Sequence, residues 1–274
     1  MKNHTLRKEV LFSGVGLHRG TSGTLRLCPS EEGRISFCFG EKSFDLREAS
    51  FEGGGRGTTL FFGERYSLAT VEHLLGALTL CEIWSVRIVA DAEEVPMGDG
   101  SASFFSRELF PQRVPLSKEL LPFYPGMPLV VGDPGVGPSI ALFPASRFGV
   151  TYAFEHPHPC IGSQWKSVLW DSAVREELEG ARTFGFLSEV EALRKRGLAQ
   201  GGSLKNAVVF DETQVMNPEG LRFPDECVRH KMVDLLGDLM LLGRPLVAHV
   251  VALRAGHATH LRLVERLRRA AGKV

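Results

Sequence analysis

The sequence predicts an α+β protein made of two units of similar composition, and three features predict it. Strand-like alternation followed by a short helical pattern fills the first part of the chain, and from Ile140 strands followed by helices begin again. Eight of the fifteen prolines lie between Pro111 and Pro144, a composition shift that marks the expected junction. The length of 274 residues, 43% of them hydrophobic, suits one large domain or two ordinary ones. The expected division is residues 1–114 and 127–274.

Composition excludes several classes of function. Lys plus Arg and Asp plus Glu number 32 each, so no net field recruits nucleic acid or an anionic membrane. Five cysteines, at 28, 38, 81, 160 and 227, form no Cys-x-x-Cys pair and read as reduced thiols. Residues 1–10 lack the apolar core of a signal peptide, and no run of about 18 uncharged apolar residues occurs. A cytoplasmic location without stable membrane insertion is expected.

Taken in order, residues 5–39 alternate as half-buried strands, as in Leu25-Arg-Leu27 and the run from Ile35 to Phe39. Between them, Gly14-Val-Gly-Leu-His-Arg-Gly20 has dinucleotide-loop spacing, but a turn and a strand follow it where such a loop requires a helix. Gly53-Gly-Gly-Arg-Gly-Thr-Thr59 lacks the Gly-Lys-Ser/Thr ending of a phosphate loop and reads as a flexible connection. Residues 70–78 form a short helical pattern, 85–90 a strand, and 94–101 a turn into a helix with Asp99 as a turn or cap residue.

Beyond the prolines, residues 140–154 and 167–169 read as strands, and His156-Pro-His-Pro159 as an exposed loop whose imidazoles need not converge. Residues 181–203 read as strand, short helix and glycine turn. A continuous apolar run from Leu246 to Leu253 suits a buried strand that ends at His257, ahead of a helix over 259–269. The basic residues from Arg262 to Lys273 read as a solvated face, and His4, His249 and His260 as structural.

The densest chemistry lies in residues 224–239, a helix entered through Asp225 as cap and closed at Gly243. At roughly 100° per residue, His230, Asp234 and Asp238 share one face with Lys231 at its edge, opposite Val228, Met232, Leu235, Leu236 and Leu239. A solvated polar face is the ordinary reading. Two like charges at i,i+4 favour a cation between them instead, and His-x-x-x-Asp spacing lets both side chains reach one metal. An open tetrahedral site needs a third ligand, for which His73 is the best candidate, with Glu72 beside it to handle a proton. Cys227 also lies near the helix start, where a thiolate would be favoured, but a fourth protein ligand would leave no position for water.

Thr70-Val-Glu-His-Leu-Leu, Ala181-Arg-Thr-Phe-Gly-Phe186, Gly201-Gly-Ser-Leu-Lys-Asn-Ala207, Val228-Arg-His-Lys-Met-Val-Asp-Leu-Leu-Gly-Asp238 and Ala255-Gly-His257 occur in that order. Together with Ser13-Gly-Val-Gly-Leu-His-Arg-Gly20 and Glu94-Val-Pro-Met-Gly-Asp-Gly-Ser101, they resemble the signature segments of the zinc-dependent UDP-3-O-acyl-N-acetylglucosamine deacetylases. The resemblance runs from about residue 7 to about residue 267.

It implies two related sheet-and-helix sandwiches packed together with the active site in the cleft between them. It further implies one Zn2+ (or Fe2+) held by His73, His230 and Asp234 with water in the open position, Glu72 as general base, and Thr183 as oxyanion donor. The leaving amine would be protonated by His257 held by Asp238, or by Glu72. Lys231 would serve the substrate's charge, and Leu17, His18, Phe184 and Lys231 would contact substrate. An insertion at about 184–205, with Phe184, Phe186, Leu187, Leu193 and Leu198, would shape an apolar passage for a fatty-acyl chain. The implied activity removes the N-acetyl group of a UDP-sugar on the way to lipid A, by a monomer whose partner is that amphiphilic small molecule.

Overall fold

Apolar–polar alternation is realised as strands in both halves of the chain. The computed structural model describes residues 3–53 and 56–272. Gly54 and Gly55 of the glycine-rich stretch and Lys273 of the basic run lie outside the described residues.

The first half carries β1 (His4–Leu6), β2 (Val10–Val15), β3 (Ser22–Pro29), β4 (Ile35–Phe39), β5 (Lys42–Asp45), β6 (Ser50–Glu52), β7 (Thr59–Phe62) and β8 (Tyr66–Leu68). These lead into α1 (Glu72–Leu80), β9 (Val86–Asp91), α2 (Ser103–Leu109) and β10 (Arg113–Pro115). The second half carries β11 (Leu129–Val131), β12 (Ser139–Pro144), β13 (Gly149–His156), β14 (Gly162–Leu169), α3 (Val174–Leu178), β15 (Phe184–Phe186), α4 (Leu187–Lys195) and β16 (Val208–Phe210). It closes with α5 (Glu226–Met240), β17 (Ala248–Leu253) and α6 (His257–Ala270). The expected α+β class holds.

The two halves repeat one topology. One five-stranded sheet has the order β2-β3-β9-β4-β5 and the other β11-β12-β17-β13-β14. In each, only the pair formed by the third and fourth strands is parallel, β9 with β4 and β17 with β13. In each half an excursion precedes the first long helix: the β6-β7-β8 sheet before α1, and the parallel β15–β16 pair with α4 before α5. The helices also share a local sequence, His73-Leu-Leu-Gly76 in α1 and Asp234-Leu-Leu-Gly237 in α5.

That shared glycine sets how the halves meet. A Cβ on Gly237 would lie 2.0 Å from the Glu72 carbonyl oxygen, and one on Gly76 would lie 3.0 Å from the Val233 carbonyl oxygen. Two side-chain-free positions let α1 and α5 pack backbone to backbone, bringing the start of α1 against the middle of α5. Leu74, Leu75 and Leu78 join Leu235, Leu236 and Leu239 in one continuous apolar core with Phe37 of the first sheet and Tyr152 and Val250 of the second.

Several expectations need correction. Asp225 stands at the cap of α5 but makes no cap bond, because its carboxylate accepts from Arg229 Nε at 2.6 Å instead. The face holding His230, Asp234 and Asp238 is buried, since α1 and α6 cover it. His257 is the first residue of α6 and not a strand-end residue. His156 ends β13 and His158 is buried, donating through Nε2 to the Asp211 carbonyl at 3.0 Å, so of the His-Pro-His-Pro segment only Pro157 and Pro159 are exposed. Nor is the basic C-terminal run wholly solvated: Arg268 donates to the carbonyls of Leu46, Ala49 and Leu241.

Candidate active site

The first turn of α1 presents Glu72 and His73, and two residues earlier Thr70 adopts φ +58°. A non-glycine residue in that region is strained, and its hydroxyl is tied to Glu94 Oε1 at 2.9 Å. The same buried carboxylate accepts from the amides of His18 (2.8 Å) and Arg19 (2.7 Å), fixing the loop of Leu17 and His18 beside the helix start.

Where α1 crosses α5, His73, His230 and Asp234 offer ligand atoms that all lie within 4.8 Å of one another. His230 Nε2 is 3.2 Å and His73 Nε2 3.7 Å from Asp234 Oδ1. Nδ1 of His230 donates to the Ala181 carbonyl at 3.2 Å, leaving Nε2 as the atom that faces the carboxylate. Burial pushes the His73 imidazole down to about 3, so it is neutral and keeps a lone pair. Burial opposes the charge on Asp234, but His230, Lys231 and His257 outweigh it and hold the carboxyl well below its usual range. Oδ2 of Asp234 accepts from Lys231 Nζ at 2.8 Å, whereas Oδ1 is buried with no hydrogen-bond partner among the described residues. An orphaned anionic oxygen between two imidazoles is costly unless a cation meets it, so this donor set fits a divalent metal.

Two proton-carrying groups flank the set. Glu72 is buried and pushed up to about 7, chiefly by loss of solvent, while its Oε2 accepts from the Thr58 amide at 2.9 Å. His257 donates from Nδ1 to Asp238 Oδ2 at 2.8 Å, and its Nε2 lies 3.7 Å from Asp234 Oδ2. Burial would lower this imidazole, but Asp238 and Asp234 outweigh it and raise it to about 9. Asp238 also accepts from the Thr58 hydroxyl at 2.6 Å and from His260 Nδ1 at 2.8 Å. Thr58 therefore ties Glu72 and Asp238 together across the junction.

A cavity of about 530 Å³ opens over these groups. Leu17, His18, Glu72, His73, Thr183, Phe184, His230, Lys231, Asp234 and His257 all line it; Asp238 lies behind His257, fully buried. Phe186, Leu187, Leu193 and Met216 give the cavity an apolar part of its wall, but Leu198 of the expected set is not among the lining residues. Cys227 packs with Ile161, Val208 and Phe210, where burial pushes its thiol up to about 12. It belongs to the apolar cluster and not to the metal-ligand group.

Sequence reasoning missed Thr58 and Glu94 and placed His260 outside the site. The signal for His260 was its spacing three residues after His257, one helical turn along the same face. Thr58 and Glu94 gave no such signal, since both act through contacts between distant segments.

Comparison with known proteins follows the same segments. A family model described as UDP-3-O-acyl N-acetylglycosamine deacetylase matches residues 3–269. The UDP-3-O-acyl-N-acetylglucosamine deacetylase of Syntrophotalea carbinolica is 40% identical over 271 residues, covering 96% of this chain and 86% of that protein. Its counterpart in Chlamydia abortus is 39% identical over 272 residues, covering 94% of each. That of Myxococcus xanthus is 38% identical over 273 residues, covering 96% and 85%.

Proposed function

The chain belongs to the UDP-3-O-acyl N-acetylglycosamine deacetylase family, and from that premise we propose how its residues remove the N-acetyl group from a UDP-3-O-(3-hydroxyacyl)-N-acetylglucosamine. Hydrolysis adds water across the amide: a C–O bond forms, the C–N bond breaks, and acetate and the free amine leave. The reaction is the committed step of lipid A biosynthesis.

One observation carries the assignment of roles. A carboxyl near 7 and an imidazole near 9 flank the same buried His73–His230–Asp234 set at the wall of one cavity. Both groups are raised, which leaves Glu72 able to take a proton and His257 charged and able to give one near neutral pH. His73, His230 and Asp234 would hold the cation, zinc or iron(II), which supplies Lewis acidity toward the acetyl carbonyl and the attacking water. Glu72 takes the proton from that water. The Thr183 hydroxyl donates to the oxygen on which negative charge develops, an effect worth roughly 3 kcal/mol for a well-placed donor. Protonated His257, oriented by Asp238, gives its proton to the departing nitrogen.

Lys231 stays charged beside Asp234 and adds a positive field at the reacting end. Leu17, His18 and Phe184 line the cavity, and its apolar wall of Phe186, Leu187, Leu193 and Met216 suits the 3-O-acyl chain. No helix among the described residues is long and apolar enough to cross a membrane. We assign the work to a monomer in the cytoplasm, reaching its substrate through this cavity.

Paired substitutions test the roles. Glu72→Ala should keep its metal and lose activity by about 10²-fold or more, as expected for a removed general base, whereas His230→Ala should lose both metal and activity. Turnover retained in Glu72→Ala contradicts the base assignment.

A further inference from the structure

His260 serves no step described above, yet it is fully buried against the chemistry. Its Nδ1 donates to Asp238 Oδ2 at 2.8 Å, the same oxygen that takes His257 Nδ1 at 2.8 Å. On its far side, Nε2 accepts from the Tyr152 hydroxyl at 3.1 Å, whose single proton is shared with the Ala255 carbonyl at 2.6 Å. Tyr152, His260 and Asp238 are each 0% exposed, so solvent cannot replace any member. Tyr152 stands in the middle of β13, in register with Ala252 of β17 and Lys166 of β14. The chain of contacts therefore runs from the centre of the sheet, through His260, to the carboxylate that orients His257.

We propose that His260, braced by Tyr152, is a positioning residue: it shares one oxygen of Asp238 with His257 and so fixes the direction in which His257 Nε2 points. The inference rests on the amide-hydrolysis reading of the site. The geometry favours it over simple satisfaction of a buried imidazole. Asp238 Oδ1 is already held by Thr58, and Oδ2 must bisect the two imidazole donors, so rotation of the carboxylate is restrained from both sides. Without His260, Oδ2 keeps one donor and the carboxylate can swing with His257 about the Thr58 contact. Nε2 would then lose its fixed place facing the cavity, a loss that affects the chemical step more than substrate affinity.

The test compares His260→Leu, which fills the space without donors, with His260→Asn, whose amide N–H can take the place of Nδ1–H toward Asp238. Acetate release from the 3-O-acylated UDP-N-acetylglucosamine gives kcat and KM, and metal content is measured on the same samples. His260→Leu should lose kcat by about tenfold or more, with KM within about twofold and metal retained, while His260→Asn should recover most of that loss. Wild-type kcat in His260→Leu overturns the inference, and so does a His260→Asn as impaired as His260→Leu, which would mean packing alone. Should His260→Leu fail to fold, Tyr152→Phe removes a single buried oxygen. A kcat loss at unchanged KM supports the brace, and unchanged kcat overturns it. If the unsubstituted protein releases no acetate, the hydrolase reading fails and this inference falls with it.

Discussion

Asp238 shows how much of this site depends on which charges face a buried group. Burial alone would drive the His257 imidazole down, yet Asp238 first and Asp234 next bring it to about 9. An imidazole that must be protonated to act as an acid supports turnover below its pKa and loses it above, so it sets the alkaline limb of the pH profile. Asp238→Asn removes the largest raising contribution; the remaining burial lowers the imidazole, and the alkaline limb of kcat/KM should move toward lower pH. A pH series on both proteins checks this, and an unmoved limb would assign that limb to another group. At this scale the residues alone were only partly legible. His230, Asp234 and Asp238 are legible as one helical face, but periodicity cannot say that α1 and α6 bury it. The place of Cys227 near the start of α5 leaves its role open in the sequence, while in the structure burial among apolar neighbours pushes its thiol up to about 12.

The crossing of α1 and α5 is the element on which the ligand set depends. Gly237 admits no side chain, because a Cβ there would stand 2.0 Å from the Glu72 carbonyl oxygen. Gly237→Ala should push the helices apart, costing roughly 1–3 kcal/mol as overpacking does, and should separate Glu72 and His73 from His230 and Asp234. Gly137→Ala, whose added Cβ would meet no other part of the described residues within 4 Å, should leave both properties alone. Thermal unfolding together with metal titration distinguishes the two; an unaffected Gly237→Ala would show that the close crossing is not needed. Strands and helices themselves were readable from period 2 and period 3.6, since each is a local pattern. The start of α6 at His257 was missed because Gly256 precedes it without a side-chain cap, leaving no signal in the sequence.

Across the whole molecule, two sheets of one topology meet through one helix from each, and the reacting groups stand where those helices touch. The proline-rich stretch and the recurrence of strands and helices made the two-part α+β class legible from composition and pattern. The site was legible through seven segments whose resemblance to a known family joins residues far apart in the chain; local physics alone yields only a helix with a metal-compatible spacing. Thr58 and Glu94 were invisible at both levels, because each works by bridging segments that only the fold brings together.

The most direct test of the account is acetate release from a 3-O-acylated UDP-N-acetylglucosamine, with metal content measured on the same sample before and after chelation. About one metal per chain is expected, since the ligand group offers one atom each from His73, His230 and Asp234. Turnover should vanish with the metal and return with one equivalent of zinc. Acetate release that survives complete removal of the metal, or a folded protein that takes up none, would contradict the assignment on which the mechanism stands.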